Sequence, residues 1–454
     1  MDRARWRELL GLWSGEWITA RQDDPGAGPL APEVLRDRWL GFAPATEAAV
    51  AAAEARLGRP LPPSLREFLL VTDGWRNAGL FIERMAGTTE LAWLRDTPDR
   101  TWIRTWEGLA EDAGEGEDTD GDGDADDHDA WLTRQARVLA RSLRLSLAGD
   151  SAVMLLDPED VDEDGEWAGY WLASWSGLGP ERFGSFAELM YRQWRSLHAV
   201  CRPAGPTRDF WDGETERGRR AALAGELDTA LDLLEEAQAF GRPRAGLLAT
   251  QLRALLHGWE RELPGAFRGA RDQETYLAEP LFSREFLPVL LRQEREARHD
   301  SLLPLPGLRE SAPEPTRAAI AAYEAASAEP GFRLVFGPPE FDAAVHALVE
   351  RLAAHRAAAR EAQRAPAVPP PGVVVLTATV TRWVDGQQRP APPVEPRFPE
   401  EFAERAWAEL LAAMPLWRPL DANHLAPVSL LAEPLLAELV THERAHALLS
   451  IPRG

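Results

Sequence analysis

Apolar positions in the first hundred residues recur with helical spacing. Between residues 46 and 57, Val50, Ala53 and Leu57 share one stripe at i, i+3, i+7, and Gly58 follows where a left-handed residue ends a helix. Leu61-Pro62-Pro63 restarts the chain. Leu65, Phe68, Leu69 and Thr72 then repeat at helical spacing until Asp73-Gly74 stops the pattern, so an αα-hairpin is predicted. Beyond it the period shortens: Leu80-Phe81-Ile82, Leu91-Ala92-Trp93-Leu94, Val153-Met154-Leu155-Leu156 and Trp167 to Ala173 are short apolar runs that predict strands, with an Asp164-Gly165 turn between the last two. Ser185 and Glu188 form a capping-box pattern opening a helix with Phe186, Leu189, Met190, Tyr191, Trp194 and Leu197 on its core face. Punctuation from Cys201 to Pro206 predicts a boundary.

The second half reads mainly as helix. Gly225, Ala230, Leu234 and Ala237 lie where the second helix of a tetratricopeptide repeat carries its small and bulky residues, and the segment around 214–258 resembles such a repeat. A helix from Leu247 to His257 follows, and Pro264 is expected to break the next one; an ordinary helical subdomain over 207–300 is therefore expected rather than a solenoid. From 301 to 454 an α-rich region is expected, with strands at Phe332 to Phe336 and at 373–380, a long helix over 341–363, and a closing helix carrying Phe402, Ala406, Trp407, Leu410 and Met414 on one face.

Charge narrows the choice of partners. The 454 residues hold 73 acidic and 50 basic side chains, a net charge of −23, and residues 1–200 alone hold 37 acidic against 21 basic. Such a surface repels phosphate backbones, so no nucleic acid is expected and a basic protein partner fits better. Every basic side chain is arginine; no lysine occurs. Cys201 is the only cysteine, which excludes an intrachain disulfide and a cysteine-built metal site. No membrane partner is expected, because no run reaches the roughly 18 apolar residues of a span, and the N-terminus has no secretory h-region; a cytoplasmic location is expected. Residues 111–129 contain eleven carboxylates and no arginine, a composition that predicts a flexible surface loop.

Two patterns invite a metal reading. His442-Glu443-Arg444-Ala445-His446 spells a zinc-hydrolase helix, yet no third ligand follows, and an exposed terminal helix is the better expectation. Asp118, Asp120, Asp122, Asp124, Asp126 and Asp129 fall on a calcium-loop template. An alternating Asp/Gly tract satisfies that template by composition, and position 12 is Asp in place of the bidentate Glu. No catalytic residue, metal or cofactor is predicted. The binding candidates are Trp75 and Trp171, aromatics suited to an interface, with Asp120, Asp122, Asp124 and Asp126 as an acidic contact surface.

Several short motifs also occur in a familiar order. Glu54 to Gly58, Leu61 to Leu70 and Thr72-Asp73-Gly74-Trp75, followed by Leu155 to Pro158, Asp164 to Trp167 and Phe183 to Leu189, resemble the SUKH superfamily, which includes the yeast cell-wall-assembly regulator and many bacterial toxin-immunity proteins. The resemblance spans about 33–200, after a helical lead-in over 1–32, with Gly58, Leu61, Pro62, Phe68 and Gly74 as its structural signature; Leu65 and Asp73 depart from the usual aromatic and Asn. It implies an α+β fold, a mostly antiparallel sheet flanked by helices, followed here by the α-rich region. It also implies a non-enzymatic protein-interaction module that neutralises a toxin by occlusion. A regulatory scaffold using the C-terminal helices is the alternative, and a zinc hydrolase through His442, Glu443 and His446 the remote one.

Overall fold

The computed structural model describes all residues except 25, 27, 115–123, 178, 269–271, 297–303, 365–380, 385–386, 391–395 and 454. The chain divides into two compact units, residues 1–212 with 239–241, and residues 213–238 with 242–454.

In the first unit, helix α1 (Arg3–Gln22) begins at Asp2, whose carboxylate accepts the Arg5 amide at 2.9 Å. Trp6, Leu10, Trp13 and Trp17 form its buried stripe, so this segment is part of the core. The Trp6 indole donates to the Ser64 carbonyl at 2.9 Å and its ring lies 5.3 Å from Phe68. After α2 (Pro32–Asp37), the expected hairpin forms as α3 (Glu47–Leu57) and α4 (Pro63–Leu69). Thr46 caps α3, Gly58 adopts φ 78° at its end, and the Glu54 carboxylate accepts the Leu61 amide at 3.0 Å, which closes the turn.

The strands are β1 (Trp75–Arg76), β2 (Ile82–Met85), β3 (Ala92–Trp93), β4 (Leu143–Arg144), β5 (Ser146–Gly149), β6 (Ala152–Val161), β7 (Trp167–Ala173) and β8 (Glu181–Phe183). They form an antiparallel three-stranded sheet, β1-β2-β5, and an antiparallel five-stranded sheet, β3-β4-β6-β7-β8. With α7 (Phe186–Cys201), opened by Ser185 accepting the Glu188 amide, this is the expected α+β arrangement.

Two helices were not expected: α5 (Thr101–Gly114) and α6 (Asp124–Arg141). The acidic stretch 111–129 is therefore not one loop; residues 111–114 end α5, 124–129 begin α6, and 115–123 fall outside the described residues. The carboxylates obscured apolar stripes on either side of them. Ile103 and Trp106 of α5 and Leu132, Ala136 and Leu139 of α6 build a second core against Val153, Leu155, Ala168, Tyr170 and Leu172.

One buried pair ties α1 to the end of this unit. His198 and Glu16 are both essentially inaccessible, with Nε2 2.9 Å from Oε2, and the other Glu16 oxygen accepts the Thr207 amide at 2.9 Å. Nδ1 of His198 is buried without a partner, which favours the tautomer whose Nε2–H donates to the carboxylate.

The second unit is helical: α8 (Pro206–Ala224, which runs on from the first unit), α9 (Leu227–Ala239), α10 (Pro243–His257), α11 (Trp259–Arg268), α12 (Gln273–Tyr276), α13 (Leu287–Glu296), α14 (Pro304–Ser311), α15 (Glu314–Ser327), α16 (Pro339–Arg364), α17 (Glu400–Ala413), α18 (Pro434–Ala437) and α19 (His442–Leu449), with a hairpin of β9 (Thr381–Val384) and β10 (Gln387–Pro390). Pro264 lies inside α11 instead of ending it. Leu263 and Phe267 on either side of it are buried, and the Phe267 ring packs 5.6 Å from Phe286; that packing offsets the lost backbone bond. Phe332 to Phe336 is not a strand. Its backbone bonds to α16 instead, the Phe336 amide to Asp342 at 2.8 Å and the Leu334 carbonyl to His346 Nε2 at 2.9 Å. The strand expected at 373–380 lies outside the described residues.

A segment buried over 424–432, which ends in a 3-10 turn at Val428–Ala432, organises this unit. Gln251 on α10 donates to the Asn423 carbonyl at 2.7 Å and accepts the Leu425 amide at 2.8 Å. Glu285 accepts the Ser429 amide at 2.8 Å and lies 3.2 Å from Nε2 of His424, whose Nδ1 accepts the Leu420 amide. Buried Arg453 donates to the carbonyls of Leu425 and Leu449. Backbone outside the long helices is tolerable here because side chains satisfy its polar groups.

Two stability losses are expected. Glu16→Ala should cost about 3 kcal/mol by leaving the Thr207 amide and His198 unpaired in the interior. Gln251→Leu should cost about 3 kcal/mol by stranding two backbone groups. Urea unfolding monitored by tryptophan fluorescence measures both, and a loss under about 1 kcal/mol in either variant would show that the corresponding contact is dispensable.

Candidate docking surface

Strand β7 has a different environment on each face. Trp167 and Ala173 belong to the core built with α1, α3, α4 and α7, against which Trp171 also packs, whereas Ala168, Tyr170 and Leu172 face the α5–α6 core. Gly169 lets α7 approach closely, since a Cβ there would sit 3.0 Å from that of Leu189.

At the C-terminal end of β7 the rings of Phe81, Trp171 and Trp175 cluster, with Phe81 4.7 Å from Trp175 and Trp171 6.2 Å from it. Trp175 is 49% exposed. Phe81, Trp171 and Leu80 form one wall of a groove of about 340 Å³, and Gln193, Ser196 and Val200 of α7 form the other. On the opposite face of β7, Trp102, Trp106 and Leu109 of α5 and the chain from Leu172 to Gly177 enclose a second cavity of about 400 Å³. The exposed Trp175 turn therefore stands between two largely apolar hollows.

Ion pairs fix the hairpin that carries this surface. Asp160 receives a two-pronged contact from Arg182, at 2.6 and 2.7 Å, and accepts the Tyr170 hydroxyl at 3.2 Å. The arginine hydrogen bonds hold the Asp160 carboxyl below its ordinary range, and burial, with Asp160 and Asp157 nearby, pushes the Tyr170 phenol up to about 12. Asp157, wholly buried, is held by Arg141 at 2.6 Å.

The predicted candidates separate. Trp171 lines the groove, but Trp75 is fully buried, its ring met edge-on by Trp13 at 6.2 Å and Trp39 at 5.2 Å, so it is a core residue and offers no surface. Asp120 and Asp122 lie outside the described residues, and for Asp124 and Asp126 only the helical backbone is described. Trp175, Phe81 and Val200 were not singled out as binding residues; the signal available was an aromatic placed just beyond the last strand position, where no core remains to cover it. Of the zinc pattern, His442 donates from Nδ1 to the Leu256 carbonyl at 3.1 Å, while His446 lies 3.7 Å from Asp228. No group of three or more His, Cys, Asp or Glu able to hold a metal occurs among the described residues.

Comparison with known families decides the identity of this region. Residues 44–192 match the SMI1 / KNR4 family (SUKH-1). They form a SUKH-superfamily domain. No curated protein and no solved structure matches the chain. SUKH domains typically bind protein partners, and the family suggests an immunity or cell-wall regulatory role.

Within the SUKH domain the signature residues serve the frame. Gly58 and Gly74 take positive φ, Leu61 and Phe68 are buried, and Pro62 precedes the first turn of α4. Asp73 accepts both the amide and the hydroxyl of Thr88, at 2.5 and 3.0 Å, fixing the loop after β2.

The hairpin should show stability limits at both ends of the pH scale. Asp160 is depressed in the folded state, so its contribution is present above the ordinary carboxylate range and is lost as pH falls through the folded value; Tyr170 is raised, so its contribution is complete below about 10 and is lost as pH rises through about 12. Asp160→Asn should flatten the acid limb of a denaturation-versus-pH curve and Tyr170→Phe the alkaline limb. Unchanged limbs in both variants would place the sensitivity elsewhere.

Proposed function

We propose that the SUKH domain of this chain docks a basic protein partner on the Phe81–Trp171–Trp175 surface, as an immunity protein does when it covers a toxin. The observation that carries this reading is the half-exposed Trp175 at the edge of an apolar groove, an arrangement that leaves a large anchor uncovered in the free protein. Charge supports the same reading. The excess of 37 acidic over 21 basic side chains in residues 1–200 steers a basic surface toward the domain, raising association rates about 10- to 1,000-fold at low salt. Docking of this kind needs no bond chemistry, in keeping with SUKH domains, which are generally non-enzymatic. Among the described residues no helix is long and apolar enough to cross a membrane.

Protection of cells tests the reading. A toxin gene is expected beside the gene for this chain, and the full chain, co-expressed with that toxin, should restore growth. The Trp175→Asp, Val200→Asp double variant, altered at two half-exposed positions, should lose that protection while keeping its urea midpoint. Protection equal to wild type from the double variant would exclude this surface, and failure of the full chain to protect would exclude the immunity role.

A further inference from the structure

The second unit contains a cavity of about 620 Å³ where the end of α10 and the start of α11 meet α13, α16 and the segment leading into α19. That volume suits a metabolite-sized ligand. Its lining combines apolar surface with two arginines and two histidines, each held by its own neighbours. Arg292 donates to Glu296 at 2.8 Å and to the Leu431 carbonyl at 2.6 Å, and its guanidinium lies 5.8 Å from the Trp259 ring centre. Arg356, 7% exposed, is hydrogen-bonded to Glu438 and rests 4.2 Å above the Phe398 ring. The Nδ1–H of His442 donates to the Leu256 carbonyl, and the His257 ring stacks on it at 5.6 Å with 19° between planes.

We infer that this cavity binds a small amphipathic oxyanion, a phosphate or carboxylate head on an apolar body, with the head among Arg292, Arg356, His257 and His442. Arginines already oriented by Glu296 and Glu438 lose little freedom on binding an anion, and the aliphatic lining from Leu255, Leu431 and Ala437 receives the body. Glu260 and Glu438 on the lining balance the two arginines, so the anion is held by the directed donors of the arginines and imidazoles and not by an excess of positive charge. This inference is independent of the docking reading, because every lining residue belongs to the second unit.

Calorimetric titration of the full chain with hexyl phosphate, hexanoate and inorganic phosphate tests it. One six-carbon anion should bind one per chain, at least tenfold more tightly than inorganic phosphate. The tighter of the two identifies the head group. His442→Gln and Arg292→Gln should each weaken binding at least tenfold. His442 is at the surface, so its variant keeps the test valid if the arginine variant does not fold. No saturable binding of either six-carbon anion, or binding unaltered in His442→Gln, overturns the inference.

Discussion

A carboxylate taken out of water must find donors, and that requirement shapes both units of this protein. Glu16 finds a histidine from α7 and an amide from the start of α8. Glu285 finds a histidine and an amide from the buried segment 424–432. In each case one acid joins pieces of chain more than a hundred residues apart. The first fixes α1, and with it the stripe of tryptophans that closes the SUKH core from outside the matched region. The second lets a stretch of backbone outside the long helices lie buried among them.

What the sequence disclosed was whatever depends on local rules. Thr46, Gly58 and Pro63 mark helix ends by backbone geometry alone, and Ser185 with Glu188 opens α7 as its spacing requires. What stayed hidden depends on partners distant in the chain. The acidic composition around 111–129 outweighed the apolar stripes of α5 and α6, which become visible only once β6 and β7 provide a surface to cover. Phe332 to Phe336 alternates like a strand, but Asp342 and His346 take its backbone groups first. The candidate site was half legible for the same reason. Composition picks out tryptophans as a class, yet only packing separates Trp75, enclosed by Trp13 and Trp39, from Trp175, which has no such enclosure.

The acidic field and the aromatic surface act at different ranges. Charge on residues 1–200 operates over a Debye length and discriminates partners only by sign. Rings of fixed geometry operate at contact and set the lifetime of a complex. Because all the basic side chains are arginine, their planar forks lock the surrounding carboxylates bidentately, as at Asp160 and Asp157, and keep the scaffold stiff beneath its exposed ring.

The two-faced character of β7 has an evolutionary corollary. One strand serves as a partition wall, with a separate hydrophobic chamber on each side and an open hollow at the rim of each. The two chambers are lined by alternate residues of the same strands, so each can be repacked through its own set of side chains. The side chains of the α5 rim can thus vary in descent while those of the α7 rim are retained.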